Sequence, residues 1–355
     1  FYAGRYSTEA LAALSLTFPI FFLLLAVGLG FSTGATALVG NALGKEDREE
    51  ACRTATQALI LTVLLAAGVM IAGYTLSPWL FRLLGATDNY LDLCLQYIYI
   101  ILGGSFITLF VFMFNGILNA VGDTRSFRNY LIVATVVNIG LDPWFMYGGF
   151  GVPAMGIRGI ALATVLVQIG GGLFLLRQVL RTGLVARSAV HRWRPDRRIL
   201  KAIAGQGIPA SLNMMTVALG IFVITYFLSW FGQDTIAAYG AATRIEQIVL
   251  LPAMGLNTAA LALVAQNGGA GRFDRVRTTV QTSLTYGTVL MVAGGALVFF
   301  GASPLMRMFS SDPDVVAIGV HYLRIAAFIQ HAYVFLFINT SVLQGLKKPA
   351  FALWI

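Results

Sequence analysis

Residues 8–50 read TEALAALSLTFPIFFLLLAVGLGFSTGATALVGNALGKEDREE. From Ala10 to Gly44 no side chain is ionisable, and at Lys45 the chain turns abruptly into charge. A helix needs about 20 mostly apolar residues to cross a bilayer. This stretch is longer than that, and its charged end belongs in water, so it reads as a membrane-crossing helix that stops at one face.

The same alternation of long apolar runs and short polar breaks continues to the end of the chain. It places helices at 8–43, 54–76, 88–120, 128–148, 155–180, 207–231, 235–267, 278–301 and 314–346. The first, third, seventh and ninth exceed what a bilayer requires and must tilt or project beyond it. Of the 355 residues 58% are hydrophobic and 11% charged, with a mean hydropathy of +0.79. Soluble domains carry about 25% charged residues, so no water-facing domain is expected. The fold class is all-α, a polytopic transmembrane bundle. Residues 1–7 open directly into the first apolar helix, so no cleavable leader is expected.

The net charge of +9 raises the question of nucleic acid, and the loops answer it. One alternate set holds Lys45, Arg48, Arg53, Arg125, Arg128, Arg181, Arg187, Arg192, Arg194, Arg197, Arg198, Lys201, Arg272, Arg275, Arg277, Lys347 and Lys348; the other holds Arg5, Arg82, Arg158 and Arg307. Such asymmetry is the positive-inside pattern. It puts residue 1 outside and residue 45 in the cytoplasm, and makes the excess charge a matter of topology. No nucleic-acid partner is expected. The longest polar segment, 181–201, falls midway and reads as a cytoplasmic linker between two bundles.

Sliding the chain by 225 residues aligns two copies of one pattern. Gly30 lands on Gly255, Val39 on Val264, Gly44 on Gly269, Arg82 on Arg307 and Tyr97 on Tyr322. The punctuation recurs too. A glycine-ended helix runs into a charged turn, a Ser-Pro follows an outer helix end (Ser77-Pro78, Ser303-Pro304), and an Asp opens the next helix (Asp88, Asp312). Both copies have the same orientation, as in a parallel repeat about an axis along the membrane normal. The helix 207–231 then expects a partner at about −18 to 6 and the helix 128–148 one near 353, so two six-helix halves would be incomplete in this sequence. Cys52 and Cys94 fall at opposite faces, which rules against a disulfide or a cysteine metal cluster.

An acid at the centre of a membrane helix costs about 2.5–3.5 kcal/mol on insertion scales, so each one asks for a reason. Asp142 follows Asn138 by one turn, on one helix face, and precedes Pro143. Proline removes a backbone donor and so loosens carbonyl oxygens nearby. A carboxylate, an amide oxygen and carbonyls are hard ligands suited to Na⁺ or to a shared proton. The plainer alternative is an aspartate near a helix end that reaches water. Glu246 lies in the helix 235–267; Arg244, two residues away, does not face it, and Arg324 is the candidate partner. An ion pair that locks helices and a role in binding substrate both stand. Asn115, Asn119, Asn213, Asn257, Gln266, Asn267 and His331 read mainly as interhelical hydrogen-bonding groups.

Three segments carry a family resemblance: TEALAALSLTFPIFFLLLAVGLGFSTGATALVGNALGK (8–45), NAVGDTRSFRNYLIVATVVNIGLDPWFMYG (119–148) and AAYGAATRIEQIVLLPAMGLNTAALALVAQNGGAGR (237–272). They resemble the MATE (multidrug and toxic compound extrusion) family, a resemblance that covers essentially the whole chain. It implies twelve helices in two six-helix lobes related by the parallel pseudo-two-fold repeat, working by alternating access. Family members export organic cations and other toxic compounds against Na⁺ or H⁺. On that basis residues 1–180 are the first lobe (family helices 2–6) and 202–355 the second (helices 7–10 and the start of 11), without the first and last helices. Asn138 and Asp142 match the family's first-lobe cation site, and Thr164 matches its threonine. The site's other aspartate would precede residue 1. Where the NorM-like branch has a glutamate this chain has Val217, which favours a DinF-like or related branch and puts a second-lobe cation site in doubt. The resemblance implies a monomer in the inner membrane of a bacterium or archaeon, with no cofactor and no metal beyond Na⁺ at Asp142.

Other functions fit less well. No HExxH or GxSxG motif supports a membrane enzyme, and neither filter-like loops nor charge rings suggest a channel. The nearest rival is a flippase of lipid-linked sugars or a polysaccharide exporter. Those cavities tend to carry several Arg, whereas only Arg244 and Arg324 lie deep in helices here.

Overall fold

The computed structural model describes residues 8–83, 86, 88–149, 151–185, 193–310 and 312–353. Among the described residues ten helices follow in order: α1 (Thr8–Gly44), α2 (Arg48–Leu83), α3 (Asp88–Gly103), α4 (Ser105–Ala120), α5 (Arg125–Tyr147), α6 (Ile157–Arg181), α7 (Arg197–Leu228), α8 (Gln233–Gly269), α9 (Phe273–Arg307) and α10 (Pro313–Gly345). Short 3-10 turns cover Ser229–Phe231 and Pro349–Leu353. Among the described residues there is no strand beyond one isolated bridge between Gly149 and Val152.

Eight helices are long and apolar enough to cross a membrane, or nine if the bent pair α3–α4 is one span, among the described residues. The expected helix 88–120 is that pair. It bends by 47° at Gly103-Gly104, where two residues without side chains leave the backbone easy to bend and Gly104 sits against Val165 of α6. Large apolar side chains face outward, such as Ile132, Val133 and Val136 on α5 and Leu297 and Phe300 on α9. In water this would be a liability; against lipid it is the solvated surface.

Several helices outrun their expected bounds for local reasons. α7 begins at Arg197 because Asp196 Oδ1 accepts from the amides of Arg198 and Ile199 and caps it. The basic end of the 181–201 segment is therefore helix, and its start is tied to α2, where Gln57 Nε2 donates to the Arg194 carbonyl at 2.7 Å and Gln57 Oε1 accepts from Asp196 N. Residues 186–192 lie outside the described ones. Pro78 and Pro304 fall inside α2 and α9, not beyond their ends. Asp312 caps α10 as expected, accepting from Asp314 N and Val315 N with Pro313 in the first turn; the Asp88 side chain lies outside the described ones.

The repeat is visible as a contact that maps onto itself. The offset of 225 pairs Gly40 with Ala265, Asn41 with Gln266 and Gly44 with Gly269. In the structure Gly40 faces Ala265, a Cβ on Gly44 would strike the Gln266 carbonyl, and one on Gly269 would strike the Asn41 carbonyl. Exchanging the two halves returns the same set of contacts, the signature of a two-fold axis between α1 and α8. α1 packs on α2, α3 and α4 much as α8 packs on α9 and α10. α7 lies along α1, with Gly30 and Gly34 letting its backbone approach at Ser211 and Gly207.

Candidate functional site

α5 and α6 form an antiparallel pair whose turn is held by backbone bonds. Met155 N donates to Phe145 O and Gly156 N to Met146 O, both at 3.1 Å, and the Trp144 indole donates to Gly149 O at 2.8 Å. Gly148, at φ +82°, makes the reversal that ends α5. This frame holds Asn138 and Asp142 one turn apart, with Pro143 inside the helix beside them.

Asn138 and Asp142 are half-buried residues, but the Oδ1 atom of each is shielded from solvent and has no hydrogen-bond partner. A shielded oxygen normally finds a donor, because leaving it unpaired costs about 1–3 kcal/mol. Two such oxygens on one face of one helix form an acceptor-only pair, which a small cation or a proton would complete. The donor set fits Na⁺, a hard cation that prefers carboxylate and amide oxygens.

Thr164 is on α6, half-buried, and its hydroxyl donates back to the Ile160 carbonyl at 3.0 Å and not to either residue. Tyr97 of α3 lies within electrostatic range of Asp142. Sequence spacing alone missed Tyr97, because it lies on a helix distant in the chain.

The second buried acid is Glu246, 7% exposed on α8. The ion pair with Arg324, one of the two readings the sequence leaves open, is not formed among the described residues. Arg244 is exposed, and Arg324 lies over the Phe299 ring at 5.6 Å. Among the described residues the ion pair found is Lys45–Glu50, at 3.6 Å. Arg324 follows Tyr322 by two residues, and such positions do not share a helix face. Tyr322 is the residue that reaches Glu246, donating its hydroxyl to Oε2 at 2.9 Å. Tyr333 faces the same carboxylate, and Tyr239 packs edge-on against Tyr322 with ring centroids 5.4 Å apart. No group of three metal-binding acids, histidines or cysteines occurs among the described residues. Cys52 and Cys94 are both buried and not joined in a disulfide.

At the charged end of the bundle, a cavity of about 830 Å³ is lined by Lys45, Glu50, Arg53, Asp196, Gln206 and Lys347. Gln206 Nε2 closes it by donating to the Lys347 carbonyl. Burial and the neighbouring Lys45 charge lower the pKa of Lys347 below the ordinary lysine value.

A family model described as MatE matches residues 1–144 and 209–355. The chain is 28% identical to "Probable multidrug resistance protein YoeA" of Bacillus subtilis (strain 168), over 99% of this chain and 76% of that protein. It is 31% identical to "FAD transporter" of Shewanella oneidensis, over 89% of this chain and 70% of that one. Among solved structures it is similar to "Crystal structure of MATE in complex with MaD3S", with a TM-score of 0.92 and 25% identity over 99% of this chain and 78% of that one. An "Outward-facing conformation of a multidrug resistance MATE family transporter of the MOP superfamily" superposes with a TM-score of 0.91 at 25% identity, over 98% of this chain and 77% of that chain.

Proposed function

The chain belongs to the MATE family, and from that premise we propose that it exports small organic compounds, organic cations first among them, in exchange for Na⁺ or H⁺. The observation that carries the exchange is the pair of shielded, partnerless oxygens on Asn138 and Asp142. A cation there satisfies both at once; without one, the site holds a carboxylate that also attracts protons. Na⁺ and H⁺ thus compete for one group, and either gradient can do work by changing how α5 sits against α6.

The two halves, 1–180 and 202–355, act in this reading as lobes that rock about the α1–α8 axis. One close approach between them, at Gly44 and Gly269, lies by the Lys45 and Arg272 turns, the cytoplasmic face by the positive-inside pattern. Parting there while closing at the opposite face gives alternating access. The protein would then sit in the plasma membrane of a bacterium or archaeon, as a monomer, with residue 1 outside and 181–201 in the cytoplasm.

The test is efflux from vesicles carrying the purified protein under an imposed Na⁺ or pH gradient. A cationic dye, FAD (after the name of one relative) and a lipid-linked oligosaccharide are offered in turn. Gradient-dependent movement of the dye supports organic-cation export. Movement of the oligosaccharide alone would make the chain a flippase instead.

A further inference from the structure

Arg324 stands eleven residues after Pro313 in α10, about 16 Å from the helix start. An arginine inside a membrane helix is costly. It pairs with no acid among the described residues, and its contact is the Phe299 ring. A cation–π contact at an exposed site returns less than that cost. Stacking also uses only the face of the guanidinium and leaves its in-plane N–H donors for a further partner.

Arg324 lines an open cavity of about 620 Å³ at the end of α9 and α10 opposite the Lys45 and Arg272 turns. Ser303, Arg307 and Ser310 line it from the α9 side. Pro313, Val316, Val320 and Arg324 line it from α10, at spacings of three, four and four residues that mark one helix face. No acid lines it among the described residues. Asp312 is engaged in capping α10. Ser310 Oγ accepts from Asp312 N at 3.1 Å, which leaves the hydroxyl proton to donate.

This charge is peculiar to the second half. The offset of 225 carries Arg82 onto Arg307, but Asp92 onto Ala317 and Tyr99 onto Arg324. In the first half Tyr74 and Tyr99 pack with ring centroids 4.9 Å apart. Their counterparts are Phe299 and Arg324, the cation–π pair. One half thus has a cation, an acid and an aromatic pair at these positions; the other has two cations and no acid.

We propose that this cavity binds the phosphate of a phosphate-bearing ligand, held by the guanidinium forks of Arg324 and Arg307 with the Ser303 and Ser310 hydroxyls donating beside them. Arginine forks match phosphate oxygens bidentately, and a wall with two cations and no acid favours their charge. By the positive-inside pattern this is the outer face, where topology alone does not call for Arg307. The half-buried Val316 and Val320 give an apolar wall for the organic part of the ligand. Phospholipid headgroups and dissolved phosphates share this chemistry. Asn138 and Asp142 lie on α5 in the other half, so the site is separate from that oxygen pair.

Calorimetric titration of the whole protein in a neutral, phosphate-free detergent tests this with two probes, inorganic phosphate and dihexanoyl-phosphatidylglycerol. At least one should bind, and Arg324→Gln and Arg307→Gln should each weaken that binding at least about tenfold, the loss of a charge-assisted contact. Arg82→Gln, at the repeat position of Arg307, should leave the affinity unchanged. Binding of the lipid alone assigns the site to a phospholipid headgroup, and binding of phosphate alone to a dissolved anion; either supports the proposal. Arg307 is exposed at a helix end, so its variant decides the matter should Arg324→Gln fail to fold. Binding of neither probe, undiminished affinity in Arg307→Gln, or an equal loss in Arg82→Gln would overturn the proposal.

Discussion

Asp142 and Asn138 show how far a few side chains can be read from spacing. An acid in an apolar helix is costly enough to need a purpose, and a partner four residues earlier shares its face. The structure adds that the Oδ1 atoms of both are shielded and partnerless. If they bind Na⁺ in competition with H⁺, Na⁺ affinity should fall as the buffer is acidified. In Asp142→Asn, affinity should drop at least about tenfold, or ~1.4 kcal/mol, and the pH dependence should vanish. Calorimetric Na⁺ titrations at several pH values check both; undiminished Na⁺ binding in the mutant would place the site elsewhere. Tyr322 was legible as the repeat partner of Tyr97 but not as the neighbour of Glu246. Which way a side chain points around a buried helix depends on packing, and an evenly apolar helix offers no polar stripe to set its rotation. Arg324 was misjudged for that reason: it was close in sequence to the right helix turn but on another face.

Among the helices, apolar length was plain in the sequence and the breaks were less so. Gly103-Gly104 divides one expected helix because α6 packs against it, a fact about a distant segment. The ends show the repeat more finely than identities do. Glu46 (φ 61°) pairs by the 225 offset with Gly271 (φ +67°), and Lys347 (φ 62°) pairs with Gly122 (φ +85°). Each helix end thus closes through a left-handed residue, glycine in one copy and a strained side chain in the other. A non-glycine residue there costs on the order of 1 kcal/mol. Lys347→Gly should therefore raise stability by about that amount in thermal unfolding of the purified protein. It also removes a charge held below its usual pKa. That penalty is felt in full below the lowered folded value and fades as pH rises toward 10.5. The stabilisation should accordingly be larger at neutral than at strongly alkaline pH. A lower melting temperature in Lys347→Gly would mean that the side chain contributes contacts outweighing its strain.

For the whole molecule, loop charge predicts the topology, and the 225 offset supplied the two-fold axis that Gly40, Gly44, Ala265 and Gly269 make visible. With Cys52 and Cys94 replaced, single cysteines at His191 and Asp234 should label from opposite sides of the membrane. Labelling from one side would break the topology on which the lobe motion depends. The manner in which the halves move on each other was not legible, since it depends on contacts made by two conformations of one sequence. Coupled exchange is nonetheless measurable without knowing that motion. Vesicles carrying the purified protein are loaded with substrate, diluted into substrate-free buffer with equal Na⁺ and pH on both sides, and followed for ion movement. The outward substrate gradient should drive Na⁺ or H⁺ in the opposite direction, against no pre-existing gradient, and Asp142→Asn should abolish that ion flux. Substrate leaving with no ion moving in return would contradict the account.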